Sequence, residues 1–231
     1  MFSHAFAAGA LLGTAISPLV CVSAAERSPV AAAEDVVARV TPSAKGAVLF
    51  HLNPDQGNKI TISGIAGGIR VEASDVRRLV AGYGWYLKNI AKVHFSWNGN
   101  RITLPSPLPV PASPVTVESP WNIVFAYNYC TLSYTAAFWD WNRWQREIDF
   151  LALNGFTHAL VTAGLEKTWE DFLTGLGYPR EKALRFIPNP AFAAWWNMGN
   201  LEGHGGPLSQ QQINKMAQMG RRIVSRMEQL G

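Results

Sequence analysis

The stretch from Tyr127 to Gly155 is YNYCTLSYTAAFWDWNRWQREIDFLALNG, and its order of polar and apolar residues decides the fold class. An apolar strand is predicted before it at Trp121–Tyr127, a helix within it at Phe138–Leu153, and a second strand after it at Phe156–Thr162. This strand–loop–helix–strand unit gathers its polar groups at the carboxyl end of the first strand. In α/β sheets that edge is where ligands bind.

The helix in this stretch is amphipathic, and helical patterns continue after it. Its apolar side chains share one face: Trp141, Trp144, Ile148 and Leu151. Arg143 and Glu147 stand four residues apart, which predicts an ion pair on the outer face. Glu166–Leu176 repeats the apolar spacing, and Ser209 with Gln212 has the spacing of a capping box that begins another helix.

Residues 27–108 predict a small α+β domain. Two helices are expected, one at Val30–Val40 and one that Ser74 or Asp75 caps and that ends near Asn89. The predicted strands are Ala47–Leu52, Lys59–Ser63, Ile69–Glu72, and a hairpin of Val93–Trp97 with Arg101–Leu104 around Asn98-Gly99.

A run of prolines separates this domain from the rest of the chain. The prolines between Pro105 and Pro114 predict a stiff linker at 109–118. Residues 119–231 then hold only two predicted strands of a parallel β/α layout. Two strands cannot bury both faces of such a sheet, so the sequence predicts the front part of a longer domain.

Composition and charge narrow the function classes. The chain has 231 residues, of which 48% are apolar, and this is enough for a packed core in one or two domains. The net charge of +4 comes from scattered basic residues, and no nucleic-acid motif accompanies them, so we expect no nucleic-acid partner. Nine tryptophans suit either a core or platforms that stack on sugar rings.

The first 25 residues predict an export signal. They contain no Lys, Arg, Asp or Glu, and the apolar run ends in the small residues Val22-Ser23-Ala24-Ala25. We therefore expect a signal peptide at 1–25, an exported protein and no stable membrane insertion. Cleavage there would remove Cys21 and leave Cys130 without a disulfide partner. The His and Cys spacings fit no common metal site, so neither a metal nor another cofactor is expected.

Three sequence blocks are long, ordered and rich in aromatic residues. They are the stretch from Tyr127 to Gly155, PAFAAWWNMGNL at 190–201 with GPL at 206–208, and SWNGNRITLP at 96–105. They closely resemble blocks of the alpha-N-acetylglucosaminidases, glycoside hydrolase family 89. The resemblance covers most of the chain after Val30. It implies a small α/β domain followed by a (β/α)8 TIM barrel, of which this chain holds the beginning.

The resemblance also implies an activity and a site. Such an enzyme removes terminal α-linked N-acetylglucosamine from glycans with retention of configuration and without a metal. By resemblance, Asn128 and Cys130 would line the subsite for the terminal sugar, and Trp195 and Met198 would supply an apolar wall. The alternatives are that Cys130 is a buried thiol and that Trp195 and Met198 belong to the core. Where family members have Gly-Gln-Glu, this chain has Gly-Leu-Glu at 164–166.

The resemblance assigns no catalytic residue to this chain, because the family's two glutamates lie on later barrel strands. The acids present here are expected at the surface or in loops: Asp140, Glu147, Asp149, Glu166, Glu170 and Asp171. The sequence therefore predicts the N-terminal portion of a glycoside hydrolase that is inactive by itself. The alternative is a non-catalytic carbohydrate-binding or vestigial fragment.

Overall fold

The N-terminal unit is built on a four-stranded mixed sheet in the computed structural model, which describes residues 29–99, 102–202 and 204–231. The strands are β1 (Val48–Leu52), β2 (Lys59–Ile65), β3 (Gly68–Ala73) and β4 (Val115–Glu118), in the spatial order β1-β3-β2-β4. β3 pairs in parallel with β1, whereas β2 runs antiparallel to both β3 and β4. A two-residue turn joins β2 to β3, and Gly67 supplies the positive φ that this turn needs.

Two helices pack against this sheet: α1 (Pro29–Val40) and α2 (Val76–Asn89). Asp75 caps α2, as predicted, by accepting a hydrogen bond of 3.0 Å from the amide of Arg78. Tyr83 of α2 is fully buried, and its hydroxyl lies 2.6 Å from the hydroxyl of Thr41. The hydroxyl of Tyr86, which is also fully buried, donates to the carbonyl of Pro109 at 2.9 Å, so both buried phenols have protein partners.

The predicted hairpin around Asn98-Gly99 was wrong in the described part of the chain. Residues 93–99 and 102–104 contain no strand. Two carbonyls of this segment accept hydrogen bonds from a side chain instead. The guanidinium of Arg146 donates to the carbonyl of Ser96, at 2.7 Å, and to that of Gly99. Arg146 also lies over the ring of Phe95 at 4.2 Å. The segment is therefore fixed by side chains of the second unit rather than by a strand ladder.

The end of the predicted linker belongs to the N-terminal sheet. Residues 115–118 form β4, and its Val117 pairs with Ile60 of β2. Val115 and Val117 alternate with polar residues as in a strand, but the prolines before them led to the prediction of a linker.

The second unit begins with two short parallel strands: β5 (Phe125–Ala126) and β6 (His158–Ala159). Both are shorter than predicted, because within the described residues each strand pairs only with the other. Three apolar side chains in and just before β5 are exposed to solvent. They are Trp121, Ile123 and Phe125, which are 70%, 65% and 57% accessible. The two strands thus leave apolar surface uncovered, of the kind that neighbouring elements cover in a larger β/α sheet.

Helices connect and follow the two strands. They are the single turn α3 (Tyr129–Thr131), α4 (Trp141–Leu153), α5 (Leu165–Gly175), α6 (Arg180–Phe186), α7 (Ala193–Asn197) and α8 (Gln210–Gln229). The predicted capping box of Ser209 and Gln212 at the start of α8 is confirmed. No helix in the described ranges combines the length and apolarity needed to cross a bilayer.

The two units meet along α2 and α4. Gly84 of α2 approaches so closely that a β-carbon there would lie 1.8 Å from the carbonyl oxygen of Leu153. Beside this contact, Arg39 of α1 binds Asp149 of α4 through two hydrogen bonds of 2.8 Å. Backbone contact and a partly buried ion pair therefore hold the N-terminal unit directly on α4.

Candidate functional site

The predicted sugar ligand Asn128 begins the α3 turn just beyond the end of β5. Its Oδ1 accepts hydrogen bonds from the amide and the hydroxyl of Thr131, at 3.1 and 3.2 Å. The Thr131 hydroxyl in turn lies 3.3 Å from the Asn128 amide, which completes a capping box. Because Oδ1 is committed to the turn, Nδ2 is the group through which Asn128 can serve a ligand.

Cys130 lies in the same turn as a free, partly exposed thiol. It is therefore not enclosed as a core cysteine would be, although part of its surface is covered. One turn of helix places Asn128 and Cys130 on the same loop at the carboxyl end of β5.

The second sequence block reaches this turn through Ser133. The residues after α3, Leu132–Ala136, form a turn of π-helix, a feature often found at functional sites. Within it, the buried Ser133 hydroxyl donates to the carbonyl of Pro190 at 2.8 Å and accepts from the amide of Ala194 at 3.0 Å. These two bonds fix α7 against α3. The sequence analysis did not single out Ser133.

An aromatic pair forms the border between the two blocks. Tyr134 meets Trp195 edge to face, with ring centroids 4.8 Å apart. Trp195 is half-buried, Met198 is 40% exposed and Tyr134 is 74% exposed, so none of these side chains lies in a closed core. Tyr134 was not predicted as a site residue either, although the hydroxyl-rich run in which it lies could have indicated it.

Glu166 lies in the first turn of α5, the helix that follows β6, and its predicted place at the surface or in a loop was wrong. The side chain is 3% exposed, and its Oε2 has no hydrogen-bond partner among the described residues. Gly164 allows this burial, because α8 lies against the turn with the carbonyl oxygen of Met216 3.0 Å from where a β-carbon would be. Burial raises the pKa of Glu166 to about 7, and nearby backbone amides only partly oppose that rise.

Three other acids expected at the surface are also buried: Glu147, Asp149 and Glu170. The prediction failed because each is paired with a cation inside the fold: Glu147 with Arg143 of its own helix, and Asp149 and Glu170 with cations from other elements as well. Asp149 binds Arg39, while Glu170 pairs with Lys167 at 3.2 Å and Arg180 at 3.0 Å. These carboxylates are structural anchors. Asp140 and Asp171 are exposed, as expected.

The cation-paired acids do not gather into an ion site. In the residues that the structure describes, no group of three or more His, Cys, Asp or Glu side chains could hold a metal ion. The chemistry available around α3 is thus a hydrogen-bond donor, a thiol and an aromatic wall.

Comparisons with known proteins agree with this arrangement. Residues 31–110 match the family model for the alpha-N-acetylglucosaminidase N-terminal domain, and residues 124–231 match the model for its tim-barrel domain. The human alpha-N-acetylglucosaminidase is 36% identical over 168 residues, which are 73% of this chain and 23% of the human protein.

Solved structures give the same result. A family 89 glycoside hydrolase from Clostridium perfringens, in complex with 2-acetamido-1,2-dideoxynojirmycin, matches with a TM-score of 0.83 and 29% identity over 88% of this chain. A variant with two Glu→Gln substitutions, in complex with its substrate GlcNAc-alpha-1,4-galactose, matches with a TM-score of 0.83 and 28% identity over 87% of this chain.

These relatives are much longer than the chain. It spans about a quarter of their length, 23% of the human protein and 24% of the first bacterial structure. Both domain models match in order along it, and the mixed α/β architecture follows the solved structures. The chain therefore belongs to the alpha-N-acetylglucosaminidases, glycoside hydrolase family 89, and carries their N-terminal domain and the first part of their barrel.

Proposed function

We propose that this chain is the N-terminal portion of an exported, exo-acting, retaining glycoside hydrolase that removes terminal α-linked N-acetylglucosamine. The observation that carries the proposal is the meeting of the two family blocks at the carboxyl end of β5. Ser133 ties α7 to the segment that follows the α3 turn, so the turn that carries Asn128 lies in contact with the helix that carries Trp195. A sugar needs both features, because its hydroxyls require hydrogen bonds and its ring faces are apolar.

The contributions of the four predicted residues follow from their groups. The Nδ2 of Asn128 would donate to a sugar hydroxyl, and Cys130 would form a small wall beside it. Trp195 and Met198 would cover a ring face or the acetamido methyl group. Because a partly exposed aromatic loses its water when a sugar stacks on it, binding there is favoured by the hydrophobic effect.

Turnover requires a pair of carboxyl groups that this chain is not proposed to supply. In a retaining mechanism one carboxylate attacks the anomeric carbon and the other protonates the leaving oxygen, at a separation of about 5–5.5 Å. Glu147, Asp149 and Glu170 are held by cations. Glu166 is a single acid that, among the described residues, has no cationic partner, and its Oε2 has no hydrogen-bond partner. We therefore place the catalytic glutamates on later barrel strands, as the family resemblance implies.

The proposal is tested by comparing two expressed products. One is residues 26–231, and the other extends the same chain through whatever coding sequence follows residue 231. Each is assayed with a chromogenic α-N-acetylglucosaminide, and the anomer released first is followed by proton NMR. The proposal predicts that only the long product turns over and that it releases the α-anomer. Turnover by the short product would contradict the proposal that this chain lacks the catalytic carboxyl pair. An inert long product would contradict the enzymatic role.

A non-catalytic sugar-binding role is the second candidate. It is favoured by one observation, namely that Trp195, Tyr134 and Met198 already form an accessible wall in this chain. Titration of the short product with N-acetylglucosamine, followed by NMR, distinguishes the two. Saturable binding that Asn128→Ala weakens would support this role if no longer product exists. The exposed Asn122→Ala variant serves as the matched control.

Export stands apart from the activity. The predicted signal peptide, residues 1–25, lies outside the described residues. Export in a bacterial host with removal of these residues, detected by mass spectrometry of the mature N-terminus, would support it. Retention of the intact N-terminus in the cytoplasm would contradict it.

A further inference from the structure

A buried carboxylate joins the N-terminal unit to the backbone that carries Asn128. Glu147 of α4 is 2% exposed, and its Oε2 accepts hydrogen bonds from the indole N–H of Trp97 at 2.7 Å and from Arg143 at 2.8 Å. Its Oε1 accepts a short hydrogen bond from the hydroxyl of Tyr127. One carboxylate thus has partners from the N-terminal segment, from its own helix and from the end of β5.

The cation paired with Glu147 is held in place by two aromatic rings. The guanidinium of Arg143 lies over the ring of Trp139 at 3.9 Å and over the ring of Trp97 at 5.2 Å. Burial, followed by the hydrogen bond to Glu147, raises the pKa of Tyr127, so its hydroxyl stays protonated and donates. The cluster is fully hydrogen-bonded at both carboxylate oxygens.

Tyr127 is the residue in this cluster that bears on the site. Its φ is +75°, in the left-handed region that a tyrosine rarely adopts. The next residue is Asn128, which caps α3, so the backbone turn at Tyr127 determines where α3 begins. Side-chain anchoring by Glu147 therefore holds a strained turn immediately before the proposed sugar ligand.

We propose that Glu147 is a positioning residue that couples the docking of the Trp97 segment to the placement of the Asn128–Cys130 turn. The N-terminal unit then contributes to the site without touching a ligand. The role of Asn128 as a sugar ligand rests on the proposed function, whereas the coupling rests only on contacts within this chain. The two can therefore fail separately.

The coupling is tested with Cys130 as a local probe. The chain has two cysteines, so Cys21→Ser leaves Cys130 as its one thiol. The rate of its reaction with a disulfide reagent is measured under native conditions in this background and after Trp97→Phe or Tyr127→Phe. Both substitutions keep an aromatic ring and remove one hydrogen bond to Glu147. Each is expected to change the rate by about fivefold or more, the size of effect that one lost hydrogen bond produces.

Asp149→Asn is the matched control. Asp149 lies on the same helix, is also 2% exposed and binds Arg39 of the N-terminal unit. Its substitution weakens the contact between the units, but its partners are Arg39 and Arg226, so the Tyr127 turn keeps its anchor. The rate in this control should stay within about twofold of the parent when urea unfolding curves show comparable destabilisation.

The outcomes separate positioning from general stability. Unchanged rates in both aromatic variants would overturn the proposal, as would an equal change in the Asp149→Asn control. A variant that does not fold is replaced by Glu147→Gln, which keeps the shape of the side chain, and the same rate criterion applies. No sugar and no turnover enter this measurement, so an inactive protein still decides it. In a catalytically active longer product, Trp97→Phe should raise KM more than it lowers kcat, because it displaces a binding group.

Discussion

Replacing Glu166 with glutamine should change how the stability of the protein depends on pH. Burial raises the pKa of this carboxyl to about 7 from an ordinary value of 4.5. Because the folded-state pKa lies above the unfolded one, the folded protein binds more protons between these values. Its stability therefore falls as pH rises through the window from about 4.5 to 7, and it is constant on either side so far as this group is concerned.

The size of the effect follows from the same two pKa values. Their difference, at about 1.4 kcal/mol per pH unit, amounts to roughly 3 kcal/mol. Glu166→Gln has nearly the same shape and does not titrate. The free energy of unfolding of the variant, relative to the parent, should therefore rise by about 2–3 kcal/mol between pH 4.5 and pH 8. A constant offset from the new amide does not affect this slope.

Urea unfolding at several pH values, followed by tryptophan fluorescence, measures the slope. Glu181→Gln on α6 is the matched control, because that side chain is 78% exposed and pairs with Arg185 at the surface. Its stability relative to the parent should vary by less than about 1 kcal/mol over the same range. Parallel curves for Glu166→Gln and the parent would refute the reasoning, since a buried unpaired carboxyl must titrate differently after unfolding.

Two further substitutions test the packing that builds the site. Ser133→Ala leaves the Ala194 amide and a facing carbonyl without their partner, so the free energy of unfolding should fall by about 1–3 kcal/mol in urea titrations. A loss of under about 0.3 kcal/mol would show that the hydroxyl is replaced by water. Gly84→Ala would place a methyl group 1.8 Å from the Leu153 carbonyl oxygen and should abolish soluble expression, whereas Gly175→Ala meets nothing within 4 Å and should be tolerated. Normal expression and an unchanged melting temperature for Gly84→Ala would contradict the close approach of α2 and α4.

Helices with local end signals were the most predictable elements. Ser74 or Asp75 was predicted to cap α2, and the cap is Asp75; the pair Ser209–Gln212 was predicted at the start of α8 and is confirmed. Both could be predicted because a cap is formed by residues only three positions apart. The predicted strands β1 to β3 also formed, with their ends shifted by a residue or two. The hairpin at 93–104 failed because its carbonyls bond to Arg146, about fifty residues away, and no local pattern announces such a partner.

The candidate site could be predicted only in part, because the contacts that join its residues are distant in the sequence. The family resemblance named Asn128, Cys130, Trp195 and Met198, and it said nothing of what holds them together. Ser133 makes that connection across about sixty residues of sequence through two hydrogen bonds. A buried serine in a hydroxyl-rich loop has no distinguishing spacing, so the structure was needed to find it. The roles of the four named residues in sugar binding stay predictions.

The two buried acids of α4 have partners in both units, on either side of the predicted domain boundary. Glu147 and Asp149 are two positions apart and so cannot share a helix face. Glu147 is enclosed by Trp97 and Tyr127, while Asp149 binds Arg39 from the N-terminal unit. Without residues 29–118, Glu147 would lose the hydrogen bond from Trp97 and keep Arg143, and Asp149 would lose Arg39 and keep Arg226. Removing a partner from a buried carboxylate is destabilising. The proline-rich segment therefore divides the sequence, whereas the two buried acids of α4 are bound by side chains from both sides of that segment.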